Sequence, residues 1–352
     1  MCETEVMDLS SSIIISGAPG SPYTRKMLAL LRYRRIPYRY VQTSAARKLG
    51  LPVAKVPLLP TFYFPDDQDG QLPVTDSSPI IRRLETLSAA RQVIAPDPVV
   101  AMLDMVLEDY ADEWLTKPMF HFRWRYPADI KRSAEVLPHW RHGIATDAQI
   151  KAHGDEFARR QIDRLGVVGS NDTTARVIED SYRRFLSAFD AHLTNFPFLL
   201  GHRPGAADFA FAGQLTQLAQ FDPTPMAITL ENGGRVYAWV STLEDLSGLE
   251  PAPTDWLTRD AIPDTLHALL AEMGRVYTPV MLANERAVKS GAGQVNAVVD
   301  GQPWQQRPFP YQAKCLRWLR DAHAQLSDVD RAAFDSIISG TGLEAIFAVP
   351  AL

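Results

Sequence analysis

At 352 residues the chain exceeds what one hydrophobic core supports, since cores stop growing near ~250–300 residues, so two or three domains are expected. Hydrophobic residues make up 46% and charged residues 22%, which excludes a wholly disordered or fibrous chain. A formal net charge of −5 gives no bulk attraction to a phosphate backbone and argues against nucleic acid as partner.

After a polar lead over residues 1–11, read as a flexible N-terminus, Ile13-Ile14-Ile15 is a β-branched run closed by Gly17, Pro19 and Gly20, the pattern of a buried strand entering a loop. Ser21-Pro22 then offers an N-cap and a first-turn proline, and Tyr23, Met27, Leu30 and Leu31 recur at helical spacing. Pro37 ends that pattern. Tyr38 to Val41 reads as a second strand, Thr61 to Phe64 as a third and Leu72 to Val74 as a short fourth, with turn chemistry from Pro65 to Gly70. Asp76-Ser77-Ser78-Pro79 opens a helix carrying Ile80, Ile81 and Leu84, so the order is βαβ followed by ββα.

Beyond residue 90 amphipathic helical stretches dominate, near 98–117, 147–166, 173–195, 206–221, 233–246, 264–284 and 309–325. The proline- and tryptophan-rich segments 118–142 and 250–263 read as irregular connections, and Ser290 to Gln302 as an exposed loop. Two cysteines, Cys2 and Cys315, support neither a disulfide framework nor a zinc site, and the eight histidines lack zinc-ligand spacing, so no metal is expected. No apolar run approaches the ~20 residues of a membrane helix, and the acidic start Met1-Cys2-Glu3-Thr4-Glu5 lacks an export signal's basic flank. A protein of the reducing cytoplasm, without a membrane partner, is the expectation.

Over residues 12–247 the order of elements and four local motifs resemble the cytosolic glutathione transferases. Ser21-Pro22-Tyr23-Thr24-Arg25-Lys26 is similar to the Ser/Cys-Pro-aromatic turn that places the family's catalytic hydroxyl or thiol. Leu59-Pro60-Thr61-Phe62-Tyr63 looks like the cis-proline segment ahead of strand three, with Pro57 as a competing candidate. Asp76-Ser77 is similar to the Glu/Gln-Ser pair that grips the γ-glutamyl end of glutathione. Phe198 to Phe209 resembles the signature loop and capping box of the second domain, with Gly205 where the family has Ser or Thr and with Asp208 still able to favour the helix start.

The resemblance implies a thioredoxin-like α/β domain over 12–90 with a four-stranded mixed sheet and an all-α domain over 96–247; a typical member has a shorter chain, and residues 248–352 are read as a helical extension packed on the helical domain. The resemblance also implies glutathione as cosubstrate, a small hydrophobic electrophile as second substrate, and a homodimer. Glutathione conjugation needs the thiolate, yet an ordinary thiol titrates near ~8.5. A hydroxyl donating to the sulfur from a helix N-terminus is worth roughly 1.5–3 kcal/mol, or about one to two pKa units. Ser21 is the candidate for that role, with Thr24 and Tyr23 as alternative donors; as an ordinary reading, Ser21 simply caps its helix. Tyr23, Leu59, Pro60, Asp76 and Ser77 are the candidate glutathione-binding residues. A cis peptide before Pro60 would expose the Leu59 backbone to an extended peptide, and Asp76 and Ser77 offer a carboxylate, a hydroxyl and an N–H at a helix start. Lys55, Arg25 and Lys26 are candidate partners for the glycyl carboxylate. The run Phe120 to Tyr126 interleaves aromatics with cations and either stacks on an electrophile or is an arginine–tryptophan packing at the surface, the reading favoured here. A non-catalytic binding module on the same scaffold is the rival reading.

Overall fold

The computed structural model describes residues 12–66, 70–142 and 144–348. The polar lead over 1–11, Cys2 included, lies outside the described residues. Strand β1 (Ile13–Gly17) is nearly all buried and pairs parallel with β2 (Tyr38–Gln42), the two joined by helix α1 (Pro22–Tyr33). Helix α2 (Thr43–Lys48) follows, and β3 (Thr61–Pro65) returns antiparallel beside β1 with β4 (Gln71–Val74) antiparallel on its far side. The strand order is β2-β1-β3-β4, a four-stranded mixed sheet. Helix α3 (Ser77–Leu87) closes the domain, burying Ile80, Ile81 and Leu84 against the sheet-side core. This is the βαβ-ββα order expected of a thioredoxin-like domain.

Helix α1 forms where the sequence signals place it. The Ser21 backbone is extended, its Oγ accepts from Thr24 N–H at 3.3 Å, and Pro22 sits in the first turn. The helix is buried on most of its surface because it lies against a second, equally buried helix across the domain boundary. At their closest approach a Cβ on Gly213 would stand 2.6 Å from the Pro22 carbonyl oxygen, so only glycine lets the two backbones come this near.

The helical part runs through α4 (Pro98–Tyr110), a π turn (Ala111–Leu115), α5 (Thr116–Arg125), α6 (Pro127–His142), α7 (Asp147–Ile162), α8 (Ala175–His192) and α9 (Ala206–Leu218). It continues with α10 (Pro223–Asn232) and α11 (Gly234–Leu243). Helix α9 is the central one, with twelve of its thirteen residues buried, and carries Gly213. Its N-terminus shows why Gly205 replaces a capping hydroxyl. Asp208 accepts from the N–H groups of Gly205 and Leu199, both at 2.9 Å. Asp104 accepts from Ala206 and Ala207 at 3.1 and 3.0 Å, and a Cβ on Gly205 would lie 2.4 Å from Asp104 Oδ1.

Beyond it lie α12 (Asp264–Ser290), the hairpin β5 (Val295–Val299) and β6 (Gln302–Gln306), then α13 (Pro310–Gln325), α14 (Asp328–Ile338) and α15 (Glu344–Phe347). These elements share the main core through residues such as Leu270, Val276, Trp304, Leu316 and Phe334. No helix among the described residues is long and apolar enough to cross a membrane.

Two sequence expectations fail here. Segment 118–142 is helical, not irregular: Pro118 follows the π turn, where the regular ladder is already broken, and Pro127 begins its own helix. Ser290 to Gln302 is not simply a loop, because Asp300-Gly301, both at positive φ, form a two-residue turn between β5 and β6. Segment 250–263 is irregular apart from one short turn of 3-10 helix, as expected.

Candidate functional site

Between the two domains lies a cavity of about 850 Å³. One side comes from the sheet domain. Leu59 and Pro60, joined by a cis peptide bond, border it together with Val56 and Leu58, and Asp76 and Ser77 border it at the start of α3. Asp76 has φ 85° and ψ 108°, a conformation that a non-glycine residue adopts only where the surrounding fold imposes it, and such residues cluster at ligand sites. Five of the six residues singled out from sequence therefore meet at this cavity: Tyr23, Leu59, Pro60, Asp76 and Ser77.

Ser21 does not line it. Its Oγ serves as the α1 cap and lies 3.5 Å from the Leu59 carbonyl oxygen, at the cavity's edge. The alternative hydroxyls are committed elsewhere: Thr24 is fully buried beside the Ala18 N–H, and the Tyr23 hydroxyl donates to the Asp112 carbonyl at 2.8 Å.

Lys26 is removed from any ligand role. It is 1% exposed, and its Nζ reaches Glu108 at 2.8 Å, Asp112 at 2.6 Å and the Ser77 hydroxyl at 3.2 Å. Burial works against its charge, but the two carboxylates outweigh that and leave its pKa raised. For Glu108 burial likewise opposes ionisation, and Lys26 with Arg82 overcomes it to hold the carboxyl below its usual range. Arg25 pairs with Glu244 at 2.7 Å, and Lys55 is exposed and outside the cavity wall. The cations proposed for the glycyl carboxylate are thus not gathered at the site.

The opposite side was not legible in the sequence. Helix α4 and the π turn present two carboxylate pairs at i, i+4 spacing, Glu108 with Asp112 and Asp109 with Glu113. Lys26 bonds both members of the first pair, and Arg82 adds a second cation 3.7 Å from Glu108. Neither member of the second forms an ion pair; Asp109 accepts from the Tyr277 hydroxyl, and burial raises Asp109 to about 7 and Glu113 to about 8. Four acids within six residues of an apolar helix was the available signal. Helix α13 adds Tyr311, Gln312, Cys315 and Trp318. The Tyr311 hydroxyl donates to Asp76 Oδ2 at 2.8 Å, tying the extension to the candidate ammonium anchor. Cys315 is buried, and burial pushes its thiol far up, so it is no ready nucleophile.

The aromatic–cationic run does not open onto this cavity. Arg123 is buried and forks onto both Asp222 oxygens at 3.0 and 2.9 Å, and His121 bonds Ser170 at 2.8 Å. Phe122 and Trp124 are core residues. The run 120–126 packs, as one of its two readings has it, but in the interior and not at the surface: His121, Phe122, Arg123 and Trp124 are all buried.

A family model described as the N-terminal domain of glutathione S-transferase matches residues 15–92, and one described as its C-terminal domain matches residues 147–241. No curated protein matches the sequence. Among solved structures, a glutathione transferase family member from Pseudomonas fluorescens with two glutathione bound is 16% identical, covering 66% of this chain and 88% of its own at a TM-score of 0.41. A glutathione S-transferase from Rhodospirillum rubrum is 16% identical over 71% of this chain and 98% of its own, with a TM-score of 0.43. A Tau class enzyme from mango is 19% identical over 73% and 96%, with a TM-score of 0.37. By its two domains, in the order and with the sheet described above, the chain has the glutathione S-transferase fold, with both of that family's domains matched.

Proposed function

We propose that the cavity binds glutathione and that the chain conjugates the tripeptide's thiolate to a small electrophile. The observation that carries the binding reading is the convergence of Leu59, Pro60, Asp76 and Ser77 on one cavity. An extended peptide laid along Leu59 would bring its ammonium to the Asp76 carboxylate and its carboxylate to the Ser77 hydroxyl and the α3 N-terminus. In the reaction the thiol loses its proton to solvent, and the sulfur forms a bond to the electrophile's carbon by addition or by displacing a leaving group. Ser21 is the donor assigned to the thiolate, on the strength of its place at the helix start and at the edge formed by Leu59. A homodimer and a cytoplasmic location belong to the same reading and rest on the family resemblance alone.

A second reading, glutathione binding without turnover, is favoured by a specific observation: Asp76 is already bonded to Tyr311, and the Ser21 hydroxyl already serves the helix. Turnover separates the two. The first reading requires conjugation of a model electrophile, with Ser21→Ala lowering kcat by about tenfold or more while folding is unchanged. Glutathione binding with no product on any electrophile would select the second. Absence of binding at millimolar glutathione would dismiss both.

A further inference from the structure

Around the cavity the unmet hydrogen-bonding capacity is one-sided. Asp112 Oδ1 and Gln312 Oε1 are buried acceptors without partners, and both residues line the cavity. Gln312 is 2% exposed, and its amide nitrogen is spent on the Glu113 carbonyl oxygen at 3.2 Å, which fixes its remaining oxygen as an acceptor. The Asp109–Glu113 pair has the same spacing as Glu108–Asp112, with Asp109 half-buried and Glu113 buried, but forms no ion pair with any described residue. Lys117, one turn beyond Glu113, also borders the cavity, but its Nζ is held at 3.3 Å by the Val168 carbonyl and at 3.2 Å by Gln306 Oε1 and makes no ion pair with Glu113. Two carboxyls one helical turn apart in this wall hold on to protons near neutral pH, and an entering ammonium would take the place of those protons.

We propose that Asp109, Glu113 and the Gln312 carboxamide oxygen form a subsite for an organic cation, a primary ammonium carried on an apolar body. The ammonium satisfies the three kinds of acceptor together, as Lys26 does for the neighbouring pair. The body lies against Met105, Val168, Leu319 and the Trp318 ring, all of which border the same cavity. As the second-substrate subsite of a glutathione transferase this rests on the reading above; as a binding site it does not.

Calorimetry with 4-phenylbutylamine, 4-phenylbutanol and 4-phenylbutyrate, which share one apolar body, tests it on the full chain with and without glutathione. The amine is expected to bind at least about tenfold tighter than the alcohol, and the carboxylate weakest. Glu113→Gln and Asp109→Asn, each shown to unfold cooperatively, should erase the amine's advantage while leaving alcohol binding in place. Equal affinities for all three, a preference for the carboxylate, or an amine advantage that survives in both variants would overturn the proposal. An amine preference without any glutathione binding upholds this subsite and removes the transferase reading; glutathione binding without an amine preference does the reverse.

Discussion

The two sides of the cavity are built on different terms. The sheet-domain side is a strip of backbone and short polar groups, Leu59 to Pro60 and Asp76 to Ser77, held in place by local geometry: a cis peptide bond and a positive-φ residue at a helix start. The helical side is a charged wall whose position depends on long-range pairing. Lys26, from α1, crosses the domain boundary to Glu108 and Asp112, and Tyr311, from the extension, crosses back to Asp76. Local geometry gives a site that a short motif can specify. Long-range pairing gives one that exists only once both domains are docked, and it can be left incomplete, as it is at Asp109 and Glu113.

The largest effect expected is on the docking itself. Lys26→Met removes the shared cation of two buried carboxylates and should cost about 3–5 kcal/mol in urea unfolding, because each uncompensated carboxylate is left in a desolvated site. A loss below ~1 kcal/mol, the level of an exposed pair, would show that the triad does not organise the wall. Asp76→Asn comes next and acts on the strip. Removing a charge-assisted contact should weaken glutathione binding by about 1.5–3 kcal/mol in calorimetry and leave 4-phenylbutylamine affinity unaltered; equal losses for both ligands would mean that the sides do not act separately.

A smaller effect distinguishes the two carboxylate pairs. Burial raises Glu113 from 4.5 to about 8, so the folded protein retains a proton that the unfolded chain releases. Stability should therefore fall as pH rises between those values. Glu113→Gln should flatten that slope, read from thermal unfolding at several pH values. A slope identical to the wild type would place the Glu113 charge elsewhere. The smallest effect is expected at the tie between the sides: Tyr311→Phe frees Asp76 and should tighten glutathione by about 0.5–1.5 kcal/mol. Weaker binding in that variant would recast Tyr311 as a ligand contact.

How much was legible in the sequence follows the same division. Ser21-Pro22, Leu59-Pro60 and Asp76-Ser77 act through backbone geometry at chain turns, and their chemistry is visible in a few neighbouring residues. The β5–β6 turn at Asp300-Gly301 carries the same kind of signal, but a weaker one, because both flanking strands are short and β6 is largely polar. The acidic wall had no such signature. Asp109 and Glu113 look like the solvated positions of an amphipathic helix until α13, some two hundred residues later, is laid over them. Lys26 and Arg123 read as surface cations because their partners, Asp112 and Asp222, are remote in sequence. Ser21 was legible as a cap, and the cap is what the structure shows.

A crystal structure of the protein grown with millimolar glutathione tests the central claim most directly. The account predicts the tripeptide along Leu59, its ammonium on Asp76, and the Tyr311 hydroxyl displaced from that carboxylate. Tyr311 still bonded to Asp76, with the ligand absent from the strip or lodged against Asp109 and Glu113, would contradict it.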